Sequence, residues 1–451
     1  MSEKNLNELK HTQVPIIGGG EVIILDTGAA IGPESAAMLQ ALHSRSIGGL
    51  KDHLKILAEK GPENFMKNFY VGYGHKSIGD CGSTSIFVEG ISMLAAKAIQ
   101  DWPLYSGQES STRYIDFQIQ PLKNPLGSKI GEEILEGWRS FYIKMLEPTK
   151  ESLKKRFPIQ DGEKESIYSK AINARAFDTL RGFLPAGSVT NIAWHTNLRQ
   201  AADKLMLLRN HPLSEVRNIA QAIEKALQDA FPNSFGHELF PHTEEYNKMW
   251  LSKYYYYHDP KCPDFKITKN SIDPKELPKE ILAARPMKTE LPKYLAELGT
   301  LQMEFLLDFG SFRDLQRHRS IIQRMPLLTT NIGFEPWYLQ ELPETLQAEA
   351  KKFLAEQEEK ITRLDISEEE KQYYTAMGYR VSNKITGGLP ALIYITELRA
   401  TRFVHPTLRK VAKIMAKSLK DLFGKNGLIL HLDEEPDRFD VRRGEQDIVL
   451  K

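Results

Sequence analysis

LLRNHPLSEVRNIAQAI at residues 207–223 and ELRATRFVHPTLRKVAKIM at residues 397–415 are the two stretches on which the reading of the fold turns. Each runs L-R, then H-P, then R-x-[IV]-A. Each also opens an apolar stripe at spacings of three and four: Val216, Ile219, Ile223, Leu227 and Phe231 in the first, and Leu408, Val411, Met415, Leu419 and Leu422 in the second. That spacing predicts an amphipathic helix packed on a core. One occurrence per roughly 200 residues is too long a period for a solenoid, so the pattern predicts two copies of one domain. The length of 451 residues agrees, because it exceeds what one hydrophobic core comfortably fills.

The junction falls within DPKCPDFKITKNSIDPKELPKE at residues 259–280, where Pro260, Pro263, Pro274 and Pro278 interrupt regular elements. A boundary near residue 265 divides the chain into repeats 1–265 and 266–451. Near the start, EVIILD at residues 21–26 reads as a strand. The glycines Gly18 to Gly20 precede it, whereas a dinucleotide-binding turn places them after the strand, so they read as a turn. Ile91, Leu94, Ala95 and Ile99 recur at helical spacing and predict a helix over 88–101. The charged segment 339–371 predicts a solvated helix.

Composition narrows the function classes. Hydrophobic content of 41% and charged content of 26% are ordinary for a globular protein, and 60 basic against 59 acidic residues leave no global field to recruit nucleic acid or a membrane. The two cysteines, Cys81 and Cys262, lack metal-ligand spacing and are too few for a disulfide framework, which fits a reducing cytoplasm. The opening MSEKNLNELKHTQVP lacks a signal-peptide pattern, and the most apolar stretch, residues 86–99, carries Glu89 and Lys97, so no export or membrane span is expected.

Four local patterns carry potential chemistry. FRDLQRHR ends in Arg317, His318 and Arg319, two guanidinium groups flanking an imidazole that suit phosphate or an anionic ring, or else a solvated basic turn. YSGQESSTRY at residues 105–114 packs Gln108, Glu109, Ser110, Ser111, Thr112 and Arg113 together, a composition suited to a nucleotide phosphate or to a capped polar loop. YGHKSIGD at residues 73–80 offers Gly74 for close backbone approach and His75 for stacking or proton transfer. LRGFLPAGSVTNIAWHTNLR at residues 180–199 presents Arg181, Asn197 and Arg199, which suit a pyrophosphate, an amide-rich heterocycle or the solvent.

Together these residues resemble the flavin-dependent thymidylate synthase family, whose hallmark is R-H-R followed by a serine, N-E-x-S-x-R and often tyrosine, preceded by a G-H motif. Here the hallmark is divided. The first half shows Gly74 to Ser77 and then Ser106, Gln108, Glu109, Ser111, Arg113 and Tyr114, but Asp101, Trp102 and Pro103 occupy the R-H-R places. The second half keeps Arg317 to Arg319, while its following SIIQRMPLLTT lacks the acid, serine and arginine. Arg181 with Leu184 and Pro185 resembles the family's R-x-x-L-P, Asn197 to Arg199 its N-x-R, and Arg209 and Arg399 its L-R arginine; Gly388, Leu389 and Pro390 stand where the second N-x-R would fall.

The resemblance implies an α+β fold of two related domains, each a sheet packed with helices. It implies a methyltransferase that reductively methylates dUMP to dTMP, with methylenetetrahydrofolate giving the carbon and FAD, reduced by NADPH, giving hydride. By carry-over, Gln108 to Arg113 and Arg181 hold dUMP, and Arg399 or Arg209 polarises the uracil. Ser77, Asn197, Arg199, Arg317, His318 and Arg319 contact the flavin, with His75 stacked near it. Partners are then small molecules, a nucleotide and a folate, with no membrane or nucleic acid, and two chains pair so that four repeats mimic the family's tetramer. The competing readings are a decayed duplicate that binds nucleotide or RNA without catalysis, and a flavin enzyme acting on another pyrimidine nucleotide.

Overall fold

The structure, a computed structural model, describes residues 10–25, 32–45, 50–72, 76–110 and 117–435. These pack as two compact units, one drawn from Met1–Ile115 and Val189–Tyr255, the other from Asp116–Ser188 and Tyr256–Lys451. The bounds of the packed units therefore differ from a linear division at residue 265: segment 116–188 lies early in the chain but packs in the second unit.

In the first unit, β1 (His11–Pro15) and β2 (Glu21–Leu25) form an antiparallel hairpin. The glycines read as a turn close it, with the Ile16 N–H donating to the Gly20 carbonyl at 3.0 Å. Gly20 has φ +97°, and a Cβ there would lie 2.2 Å from the Glu89 carbonyl oxygen, so the close strand approach requires glycine. Helices α1 (Pro33–Arg45), α2 (Leu50–Lys60) and α3 (Glu63–Phe65), a π-helical turn (Met66–Gly72) and α4 (Lys76–Gly79) lead to β3 (Ser83–Ser92), which runs directly into α5 (Met93–Gln100) and then β4 (Ser106–Glu109). The chain next contributes α6 (Lys129–Arg156) and α7 (Glu165–Leu180) to the second unit. It returns through β5 (Val189–Asn197), α8 (Leu198–Leu208), α9 (Ser214–Ala230) and α10 (Pro241–Tyr254). The sheet is antiparallel in the order β1-β2-β3-β5-β4. The α9 helix packs on β1 and β2 and buries Val216, Ile219, Ile223 and Leu227, as its apolar stripe requires.

The helix expected over 88–101 is corrected at its start. Val88 to Ser92 belong to β3, and the helix begins only at Met93, where the Ser92 hydroxyl caps it by accepting from the Ala95 N–H at 3.0 Å. The apolar spacing ran across the junction because both the strand and the helix bury these positions.

The second unit continues with β6 (Tyr256–Tyr257), β7 (Phe265–Asn270), α11 (Lys279–Ala284), β8 (Thr300–Asp308), α12 (Phe309–Leu315), β9 (Ile322–Gln323) and β10 (Met325–Pro326). It ends with α13 (Pro336–Glu341), α14 (Glu344–Thr362), α15 (Glu368–Lys371), β11 (Arg380–Gly388), α16 (Leu389–Arg399) and α17 (Pro406–Phe423). Its sheet is antiparallel in the order β7-β8-β11-β9, and β10 lies parallel to β6. The β7 strand corrects the expectation of an irregular junction: the prolines flank it and leave six residues free to pair with β8.

The segment read as a solvated helix is also corrected in part, because α14 buries Ala350, Leu354, Gln357 and Ile361. Phe353 stacks on Phe141 of α6 with ring centroids 4.3 Å apart, and the Gln357 side chain donates to the Ile134 carbonyl at 2.9 Å. Trp138 of α6 donates to the Tyr374 carbonyl at 2.8 Å, which ties segment 116–188 to this unit.

The order β3–α5 followed by β5–α8–α9 recurs as β8–α12 followed by β11–α16–α17. Ser92 and Asp308 cap the corresponding helices α5 and α12. The fold is α+β, with each sheet packed by helices. Among the described residues no helix is long and apolar enough to cross a membrane.

Candidate active site

Asp308 starts α12 by accepting the Ser311 N–H at 2.8 Å, and the helix ends at Leu315, so the R-H-R residues occupy the turn that follows. The Arg317 side chain is 60% exposed and Arg319 is exposed, while His318 is buried. Arg399, the last residue of α16, donates from Nε to His318 Nε2 at 2.8 Å and from Nη2 to the Asp314 carbonyl at 2.6 Å. A guanidinium only donates, so His318 Nε2 is unprotonated and the ring is neutral with its proton on Nδ1. Burial and the neighbouring Arg399 push the His318 pKa down to about 3.

Asp314 anchors the cations around it. Burial works against its charge, but Arg181, Arg317, Arg399 and Arg313 hold its carboxyl below the usual range, and Arg317 Nε stands 3.7 Å from its Oδ1. Arg181 sits in a single tight turn after α7 and is buried. Burial opposes its charge as well; the Tyr338 phenol and the carboxyls of Asp178, Asp308 and Asp314 nevertheless keep its pKa above the ordinary arginine value. Its Nη2 donates to Ser311 Oγ at 3.3 Å. Ser311 is braced in turn by Thr407 Oγ1 at 2.8 Å and His405 Nδ1 at 3.2 Å, and the other nitrogen of His405 lies 3.2 Å from the Asp178 carbonyl oxygen. The H-P histidine of the second repeat is thus a buried brace.

These buried histidines make a stability prediction with a definite sign. The folded pKa of His318 and that of His405, which burial lowers well below the ordinary value, both lie under the unfolded value of about 6.5. The unfolded chain therefore takes up protons first, and the stability is intact above pH ~6.5 and lost as pH falls. From pH 7 to pH 5 His318 should cost about 2 kcal/mol, and His405 acts in the same direction. Urea unfolding midpoints at the two pH values test this; equal midpoints would contradict the neutral assignment.

In the first unit, Ser77 is exposed on α4, and Arg199 pairs through Nε with Asp80 Oδ1 at 2.8 Å at the end of the same helix. Asn197 caps α8 by accepting the Gln200 N–H at 2.8 Å. The α4 and α8 helices pack together, so these three residues share one end of the unit. Gln108 is exposed on the edge strand β4, and the Ser110 N–H donates to the Asn191 carbonyl at 2.9 Å. Glu109 is turned inward: Lys97 Nζ lies 2.7 Å from its carboxylate, with both side chains about fully buried, and Gln100 donates to it at 3.2 Å. Arg209 forms an ion pair with Glu244 at 2.6 Å. His75, Ser111, Thr112 and Arg113 lie outside the described residues.

The structure therefore brings Arg317, His318 and Arg399 to the C-terminal end of α12, sets Arg181 on Ser311 in its first turn, and brings Ser77, Asn197 and Arg199 to one end of the first unit. Reading the sequence missed Asp314, Ser311, His405 and Glu244. One of these omissions had a visible signal: Asp314 stands three residues before Arg317, a helical ion-pair spacing.

The family model described as "Thymidylate synthase complementing protein" matches residues 32–233, a segment that includes Ser77, Arg181, Asn197 and Arg199 but ends before Arg317 and Arg399. A UPF0159 protein of Chlamydia muridarum is 26% identical over 417 residues, covering 79% of this chain and 78% of the relative. Another from Chlamydia pneumoniae is 25% identical over 410 residues, covering 77% and 76%. A third, from Thermoplasma acidophilum, is 23% identical over 437 residues, covering 81% and 87%, so the similarity runs through both repeats. Residues 32–233 of this chain are thus similar to the thymidylate synthase complementing protein family.

Proposed function

We propose that this chain catalyses the reductive methylation of dUMP to dTMP, taking the carbon from methylenetetrahydrofolate and reducing power from NADPH through FAD. The observation that carries the reading is the C-terminal end of α12, where Arg317 and Arg399 stand around one carboxylate, Asp314, beside a neutral imidazole. Two guanidinium groups against a single acid leave net positive charge for an anionic nucleotide. Arg181, buried and braced by Ser311, suits the phosphate as a preset cation. Arg399 meets no carboxylate within 4 Å among the described residues and is held by two neutral acceptors, so its charge remains available to a uracil oxygen that gains negative character.

In the second unit, Arg317 and Arg319 present exposed guanidinium groups suited to the pyrophosphate of a flavin dinucleotide, beside the neutral ring of His318. Taken by itself, the first unit offers a hydroxyl, an amide and a guanidinium group at Ser77, Asn197 and Arg199. When bound, FAD would supply hydride to the pyrimidine. The protein's share is to hold the nucleotide anion, to orient it and to favour negative charge on the ring. Two chains paired in the manner of a four-repeat assembly belong to the same reading.

An absorption spectrum of the purified protein, followed by anaerobic NADPH reduction with and without dUMP, tests the proposal. Bound flavin whose reduction responds to dUMP is the expected result. A colourless protein that takes up no added FAD would refute it and favour a duplicate that binds nucleotide without catalysis.

A further inference from the structure

Arg209 caps the C-terminal end of α8 and Arg399 is the last residue of α16, and each precedes an H-P pair and an amphipathic helix, yet the two arginines have opposite surroundings. Arg399 donates to a neutral imidazole and a carbonyl. Arg209 donates from Nε and Nη2 to the two oxygens of Glu244 at 2.8 and 2.6 Å, and Asn210 adds a third donor to the same carboxylate at 2.7 Å. Glu224 stands farther off, 3.7 Å from Nη1. A planar guanidinium fork with an adjacent amide is the donor set that grips an oxyanion in two-point fashion.

The sequence difference explains the divergence. Trp102 stands at the place matched to the central histidine of R-H-R, and an indole donates but does not accept. Its N–H goes to Gln200 Oε1 at 2.9 Å, so it cannot serve Arg209 as His318 serves Arg399. The acceptor comes instead from α10, which buries just Asn247 and Leu251 while Tyr246, Met249 and Tyr254 stay exposed. Glu244 ties this helix to the end of α8 through Arg209 and Asn210.

We infer that the first unit carries a latent oxyanion site, the Arg209–Asn210 fork, which the chain closes with the carboxylate of its own Glu244. The ligand class is inorganic phosphate or a phosphomonoester. The native chain would then present one open nucleotide site, in the second unit, and one site satisfied internally.

Equilibrium dialysis of the full chain with radiolabelled inorganic phosphate tests this. Glu244→Ala is expected to bind one more phosphate equivalent per chain than the unaltered protein, and adding Arg209→Ala should remove that equivalent. Glu244→Gln keeps an acceptor for α10 while deleting the charge, and should also gain the equivalent at lower affinity; it decides the matter if circular dichroism shows the alanine variant misfolded. No gain in either folded variant, or a gain that survives Arg209→Ala, would overturn the inference. The readout needs neither flavin nor turnover, so failure of the proposed activity and failure of the latent site are separate results.

Discussion

Arg399→Ala is expected to lower kcat/KM for dUMP by about 10² to 10³, or roughly 3–4 kcal/mol, the cost of removing one preset donor from developing negative charge. The way the residue is held sets this cost. Its Nε and one Nη2 contact are committed to His318 and the Asp314 carbonyl, which fix the plane of the guanidinium without neutralising it. Burial already disfavours the charge of Arg399, so an anionic partner should stabilise it strongly. A second readout separates this role from simple loss of structure. The Arg399 charge helps to depress the His318 pKa, so the variant should raise that pKa in a histidine NMR titration while retaining a native melting profile. Arg209→Ala should lower kcat/KM by less than tenfold. Equal losses at the two arginines would mean that their different partners do not govern their roles.

Arg181→Ala should produce the largest loss of stability, about 3–5 kcal/mol, because removing one partner leaves buried charge uncompensated. Asp178 and Asp308 are fully buried, and Asp308 already accepts from the Ser311 N–H and the Tyr338 hydroxyl, at 2.8 Å each. Arg181 is the cation that faces this set. Urea unfolding with a probe in the second unit, such as Trp138 or Trp337 fluorescence, measures the effect. A change below ~1 kcal/mol would show that the acids find compensation elsewhere. Arg181→Lys should recover only part of the loss, since an ammonium cannot reproduce the planar fork.

The pattern of residues made much of this legible. The helices α9 and α17 were readable because their apolar stripes have the helical period and both faces meet their expected surroundings. The start of α5 was not, since burial on both sides of Ser92 hid the change from strand to helix. Arg317, His318 and Arg399 were readable as candidates because charged residues clustered in short motifs are uncommon outside sites or solvated turns. Their electrostatics were not. The neutrality of His318 depends on a donor from α16, and the inward turn of Glu109 depends on Lys97 lying across from it.

By itself the sequence determined the α+β class and the amphipathic helices, because periodicity and turn chemistry act over neighbouring residues. It also placed an R-H-R triplet in the second half and an N-x-R triplet in the first. Tertiary structure alone decided that segment 116–188 packs in the second unit and brings Arg181 to Ser311 and Asp314. It alone decided that Arg209 is neutralised by Glu244 while Arg399 rests on neutral acceptors. The physical reason is one of range: periodicity is set within a few turns of chain, whereas the charge state of a buried group is set by whichever distant side chains share its low-dielectric surroundings.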